Sequence, residues 1–165
     1  MVGNYLRVSN SELEEFMTDS SKLEARIYDD DSENDKSLIS VDKSWEALFF
    51  VATGNSMAGM DTVALPLRWL LDPPQEIDPE QDLGYGPASY TTSEQTKEIN
   101  SALLNLSASE IRTRYDGKKM NQLDIYPGGW DQPGSLEYVT DYFNCLKDFY
   151  GKAAEENQAV IFFVN

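Results

Sequence analysis

The sequence predicts a single domain of mixed helix and strand, α/β in the broad sense and α+β in the strict one, and three observations carry that reading. The chain opens on an alternating segment, Asn4-Tyr5-Leu6-Arg7-Val8, which suits a strand. It closes on a continuous apolar run, Ala159-Val160-Ile161-Phe162-Phe163-Val164, whose bulky β-formers suit a strand covered on both faces and therefore central in its sheet. Between them lie helical patterns with their own start signals. At 165 residues, 41% hydrophobic and 12% aromatic, the chain can bury one sizeable core, so residues 1–165 form one domain.

The elements follow in order. Ser9-x-x-Glu12 is a capping box and opens a helix to about Met17; a second helix covers Ser21 to Tyr28, with Leu23 and Ile27 on one face. The run DDDSEND, residues 29 to 35, has no apolar anchor and is solvated loop. Its alternate acids resemble a calcium loop, but Asn34 stands where the turn needs glycine and Ser40 where a bidentate glutamate belongs, so no metal site is expected there. Asp42 to Thr53 is a helix stopped by Gly54, with Trp45, Leu48, Phe49 and Ala52 buried. Residues 55–62 are loop, Pro66 starts a short helix through Leu71, and Asp72 to Asp82 is an extended connector.

Thr92-x-x-Gln95 and Ser107-x-x-Glu110 are further capping boxes, the first opening a helix to about Leu106. Asp116-Gly117 is expected to close the helix that Ser107 opens. The last long helix, Leu136 to Glu156, gathers Tyr138, Val139, Tyr142, Phe143, Leu146 and Tyr150 in one arc at about 100° per residue, with Glu137, Asp141, Asn144 and Asp148 opposite. Cys145, the single cysteine, lies at the edge of that arc and is expected to be packed and inert; it cannot form an intramolecular disulfide, which suits a reducing compartment.

Composition excludes several chemistries. The chain has no histidine, so a Ser-His-Asp triad, a Cys-His pair and histidine-containing zinc sites are impossible. GYGPAS, residues 84 to 89, imitates two glycines of a dinucleotide fingerprint, but proline follows at once and no third glycine comes. No catalytic set, metal site or cofactor is expected, and a non-catalytic role is favoured, with enzyme activity left open as the alternative. Thirteen basic against 29 acidic residues give a net charge of −16, which repels nucleic acid and anionic membranes and favours a basic protein partner. The N-terminal stretch carries no leader signature and no apolar run approaches a membrane span, so the cytoplasm is expected.

Two irregular segments stand out, Gly84 to Tyr90 and Ile125 to Trp130, each mixing glycine, proline and aromatics. Aromatics on loops held by a rigid scaffold either plug the ends of a sheet or line a pocket. Asp42-Lys43-x-Trp45 with Thr53-Gly54, then Pro66-Leu67, Gly84-Tyr85-Gly86-Pro87-Ala88-x-Tyr90, Ile125-Tyr126-Pro127 with Trp130, and Phe143-x-x-Leu146-x-x-Phe149-Tyr150 together resemble the YfbM-like family of small bacterial proteins of unknown function. The resemblance implies a three-layer α/β/α arrangement around a mixed sheet. Relatives often carry histidine in the place of Phe49 and arginine in that of Ser89, so any family chemistry using those groups is absent here.

Two functions are compatible with these residues. The first is a non-catalytic immunity protein that neutralises an antibacterial toxin, a basic cognate partner, through an acidic surface. Its contact region would be the acidic run with Asp29, Asp30, Asp31, Glu33 and Asp35, the connector with Glu76, Asp78, Glu80 and Asp82, or the loops that carry Tyr85 and Trp130. The alternative is a small-molecule-binding protein or enzyme with a site between the two corners, formed by Tyr85, Tyr90, Gln95, Tyr126 and Trp130, with Asp124 and Asp131 as the nearest acids.

Overall fold

Burial on both faces puts the last strand where its composition demands. In the structure, a computed structural model describing residues 1–29 and 34–165, β1 (Gly3–Val8), β2 (Leu38–Ser40), β3 (Gln75–Glu76), β4 (Ser89–Thr91) and β5 (Ala159–Val164) form one sheet in the order β2-β1-β5-β4-β3. Every pairing is antiparallel, including β1 with β5 in the register Tyr5↔Phe162 and Leu6↔Ile161. The sheet is therefore antiparallel rather than mixed, and the domain is α+β. Neighbouring strands here are not joined by the single crossover helix that a parallel pair needs. Alternation along the two central strands divides the core. Tyr5, Val160 and Phe162 face one helical layer, while Leu6, Val8, Ile161 and Phe163 face the other.

The smaller layer is α1 (Asn10–Thr18) and α2 (Ser21–Ile27), which bury Leu13, Phe16, Leu23 and Ile27 with Leu83 and Ala88. The capping box forms: Ser9 Oγ accepts from the Glu12 N–H at 3.2 Å and Glu12 Oε2 accepts from the Ser9 N–H at 2.8 Å, an arrangement worth about 1 kcal/mol. Arg26 ties α1 and α2 to Asp35, reaching Glu12 at 2.7 Å and Asp35 at 3.1 Å.

The larger layer holds α3 (Trp45–Thr53), α4 (Ser93–Leu104), α5 (Ala108–Arg114), α6 (Gly117–Gln122) and α7 (Ser135–Glu155). Residues 45–52 of α3 are all buried, so it is the central helix expected; a 3₁₀ turn at Asp42–Ser44 precedes it and Gly54, at φ +79°, ends it. Arg114 donates to the carbonyls of Val51 and Ala52 at that same end. Gln95 and Glu110 complete their boxes at the starts of α4 and α5. Asp116 behaves differently from expectation: its Oδ1 accepts from the Lys119 N–H at 3.0 Å and opens α6 instead of closing α5. Gly117 is required for space, since a Cβ there would lie 2.3 Å from the Trp130 carbonyl oxygen.

Three short strands, β2, β3 and β4, are not assigned by the sequence pattern, and a 3₁₀ turn at Met57–Thr62 occupies the expected loop. Cys145 is exposed rather than packed, because the core side of α7 turns through Phe143, Leu146, Phe149 and Tyr150 and leaves Asn144 and Cys145 in solvent.

Candidate functional site

The sheet separates the two glycine-proline corners. The corner at Ile125–Trp130 belongs to the larger layer. There the Tyr126 ring stacks on Trp45 at 5.6 Å, and the Tyr126 N–H donates to Glu46 Oε2 at 2.8 Å. Glu46, only 7% exposed, also accepts from the Met57 N–H at 3.4 Å, so a buried carboxylate on α3 holds two loops. Trp130 is 4% exposed; its indole N–H donates to the Ile125 carbonyl at 2.9 Å, and its own carbonyl accepts from Tyr115 Oη at 2.5 Å. Gly128 and Gly129, at φ +86° and +75°, let the backbone turn this tightly. Trp130 is a plug. Asp131 receives the Asn121 side-chain amide at 2.8 Å, and Asp124 is exposed.

The corner at Gly84–Tyr90 completes the smaller layer. Asp82 Oδ1 accepts from the N–H groups of Gly84 at 2.8 Å and Gly86 at 3.1 Å, and the two glycines take φ +122° and +100°. Leu83 and Ala88 point into the core, while Tyr85 is 61% exposed. Tyr90 packs against the smaller core and its hydroxyl donates to Met17 Sδ at 3.2 Å. Gln95 is spent on capping, with Oε1 accepting from the Thr92 N–H at 2.9 Å. Of the five ligand candidates, only Tyr126 and Trp130 come together; Tyr85 and Tyr90 lie with the opposite layer and Gln95 serves its helix.

The acidic candidates fare better as a group. The start of α2 and the connector are stitched by Ser20 Oγ donating to Asp78 Oδ2 at 2.6 Å and by Gln81 Nε2 donating to the Ser20 carbonyl at 2.9 Å. The end of α2 is joined to the glycine turn by Tyr28 Oη donating to the Leu83 carbonyl at 2.9 Å. One continuous surface thus carries Asp29, Glu76, Asp78, Glu80 and Asp82 with two exposed tyrosines, Tyr28 at 52% and Tyr85. Tyr28 was missed in the sequence because it reads as the last residue of a helix face.

Bonds from Ser20 and the Glu80 N–H hold Asp78 below its ordinary carboxylate range, and bonds from Gly84 and Gly86 do the same for Asp82. Both are anions at neutral pH. Among the described residues no cation lies within ion-pair distance of Glu76, Asp78, Glu80 or Asp82. Asp35 is instead engaged by Arg26 and the Ser37 N–H. Asp30, Asp31 and Glu33 lie outside the described residues. Among the described residues no group of three His, Cys, Asp or Glu could hold a metal ion, and no helix is long and apolar enough to cross a membrane.

Fold and surface together define a three-layer α+β domain with one inward and one outward aromatic corner. The sequence profile of the family described as "Domain of unknown function (DUF1877)" matches residues 1–163, and the chain belongs to that family. A solved structure of the same fold is the protein of unknown function YfbM from Escherichia coli, which is 17% identical, with 98% of each chain covered and a TM-score of 0.70. No curated protein matches the sequence.

Proposed function

We propose that this protein is a non-catalytic binding protein, an immunity protein acting in the cytoplasm that neutralises a basic antibacterial toxin by covering its surface. The observation that carries this reading is the joined acidic face: hydrogen bonds from Ser20, Gln81 and Tyr28 fasten the connector and its cation-free carboxylates to α2, and Tyr28 and Tyr85 are exposed on the two joined segments. Long-range attraction to a basic partner speeds encounter, and exposed aromatics ringed by charge are the residues that anchor such interfaces once water is excluded.

The test is co-expression with the product of the adjacent gene, followed by size-exclusion chromatography and a growth-protection assay. A stable complex and rescued growth are expected, both abolished by the triple change Asp78→Lys, Glu80→Lys, Asp82→Lys in a variant that still folds. A neighbour that is not toxic, or a complex indifferent to those three charges, sinks the reading.

A further inference from the structure

A second carboxylate, remote from that face, stands in an aromatic-walled depression. Asp42 follows β2 and precedes α3, in the left-handed region at φ +49°, which aspartate tolerates better than most residues. Its N–H donates to Ser40 Oγ at 3.1 Å, and its Oδ2 accepts from Tyr138 Oη at 2.8 Å. Among the described residues no cation lies within ion-pair distance of it. The depression it lines has a volume of about 450 Å³ and is walled by Tyr138, Pro127 and Pro133, with the largely buried Trp130 at its base. Tyr138 lies 6.3 Å from the Trp130 ring and 5.0 Å from Tyr142, which meets it edge-on. Burial first, and then the bond to Asp42 and its negative charge, push the Tyr138 phenol up, so the hydroxyl stays a donor to Asp42.

We infer that this depression binds an organic cation, an ammonium or guanidinium head that pairs with Asp42 and lays its carbon-bound surface against Tyr138. Aromatic walls and one carboxylate are the two elements that together recognise such heads, by ring quadrupole and by charge. Lys43 lines the same depression from an exposed position, and its charge works against any cation there and most strongly against a polycation, so the site suits at most a small ligand with a single cationic head. The inference stands apart from the acidic tyrosine face, which lies with the other helical layer.

The experiment titrates the full chain with tetramethylammonium chloride and with methylguanidinium chloride, following the Trp130 indole N–H resonance, with tert-butanol and matched sodium chloride as neutral and ionic controls. A saturable shift with either cation and none with the controls is expected, and whichever cation binds more tightly identifies the head group. Asp42→Asn keeps both the left-handed backbone and the acceptor for Tyr138 while removing the charge; it should weaken binding by about tenfold or more, as loss of one charge-assisted contact does. No saturable shift, an equal response to tert-butanol, or wild-type affinity in Asp42→Asn each overturns the site. Should that variant not fold, the cation against tert-butanol comparison on the unaltered chain decides.

Discussion

The corners at Gly84–Tyr90 and Ile125–Trp130 are built from the same residue types and do opposite work. Both need glycines in the left-handed region and both end near an aromatic residue. They differ in what receives the freed backbone N–H groups. At Tyr126 the acceptor is Glu46, buried on a central helix, so the corner is drawn inward and Trp130 fills the gap. At Gly84 and Gly86 the acceptor is Asp82, exposed and only a few residues away, so the turn organises itself and leaves Tyr85 outside. The first arrangement invests in stability and the second leaves a ring and a charge free for recognition.

That contrast is broken most severely at Trp130. Truncation to alanine removes a buried indole and its bond to Ile125, and is expected to cost about 3–5 kcal/mol in denaturant unfolding. Gly117→Ala attacks the same corner from behind, since its Cβ would sit 2.3 Å from the Trp130 carbonyl oxygen and backbone would have to move; a loss of about 1–3 kcal/mol is expected. Glu46→Ala leaves the N–H groups of Tyr126 and Met57 without their acceptor and should cost about 1–3 kcal/mol. Glu46→Gln, which keeps one carbonyl oxygen, should cost less. If Glu46→Ala melts like the unaltered chain, the buried carboxylate does not hold the corner inward and the comparison fails.

How much of this was legible depends on the range of the interaction. The three capping boxes, the Gly54 stop and the central strand were readable because each is decided within a few residues or by burial on both faces. The two-residue strand β3 and the three-residue strands β2 and β4 were not, because so short a strand is fixed by its neighbour and not by its own pattern. Asp116-Gly117 is ambiguous locally, as either a stop or a start, and only the approach of the Trp130 carbonyl decides it. The acids of the connector were identified, but their union with Tyr28 rests on bonds across 55 to 61 residues, which no local pattern contains. The side of the sheet on which each corner sits was likewise a tertiary outcome, and it dissolved the pocket expected between them.

Titration distinguishes the two layers more gently. Tyr5 and Tyr150 are fully buried against the larger layer, and burial raises both phenols above their ordinary value. Their neutral forms stabilise the fold fully below the unfolded phenol value of about 10; above it the unfolded chain loses protons first, so stability falls as pH rises. In the smaller layer, burial pulls Glu12 and Asp35 up, but their bonds to Ser9 and Ser37 and the Arg26 guanidinium outweigh it and leave both lowered. Their contribution is present above about pH 4 and is lost as pH falls through the folded values. Both carboxylates are partly exposed, so solvent screening keeps the effect small. Arg26→Ala should flatten the acid limb of a melting-temperature profile and leave the alkaline limb unchanged.

The smallest effect on stability is expected at the outward corner, and there the two properties separate. Tyr85→Ala removes a ring with little buried surface, so unfolding should change by no more than about 0.5 kcal/mol. Asp82→Asn keeps an acceptor for Gly84 and Gly86 and should be equally silent in unfolding. Against a basic partner the same changes should be felt differently. Loss of the ring should raise the dissociation rate, because a hot-spot side chain contributes after docking, at more than about 1 kcal/mol. Loss of the charge should lower the association rate and its sensitivity to salt, because a rim carboxylate acts before contact. Stopped-flow association at two ionic strengths reads both rates. Should Tyr85→Ala unfold several kcal/mol more easily, the outward corner is structural after all and resembles its counterpart at Trp130.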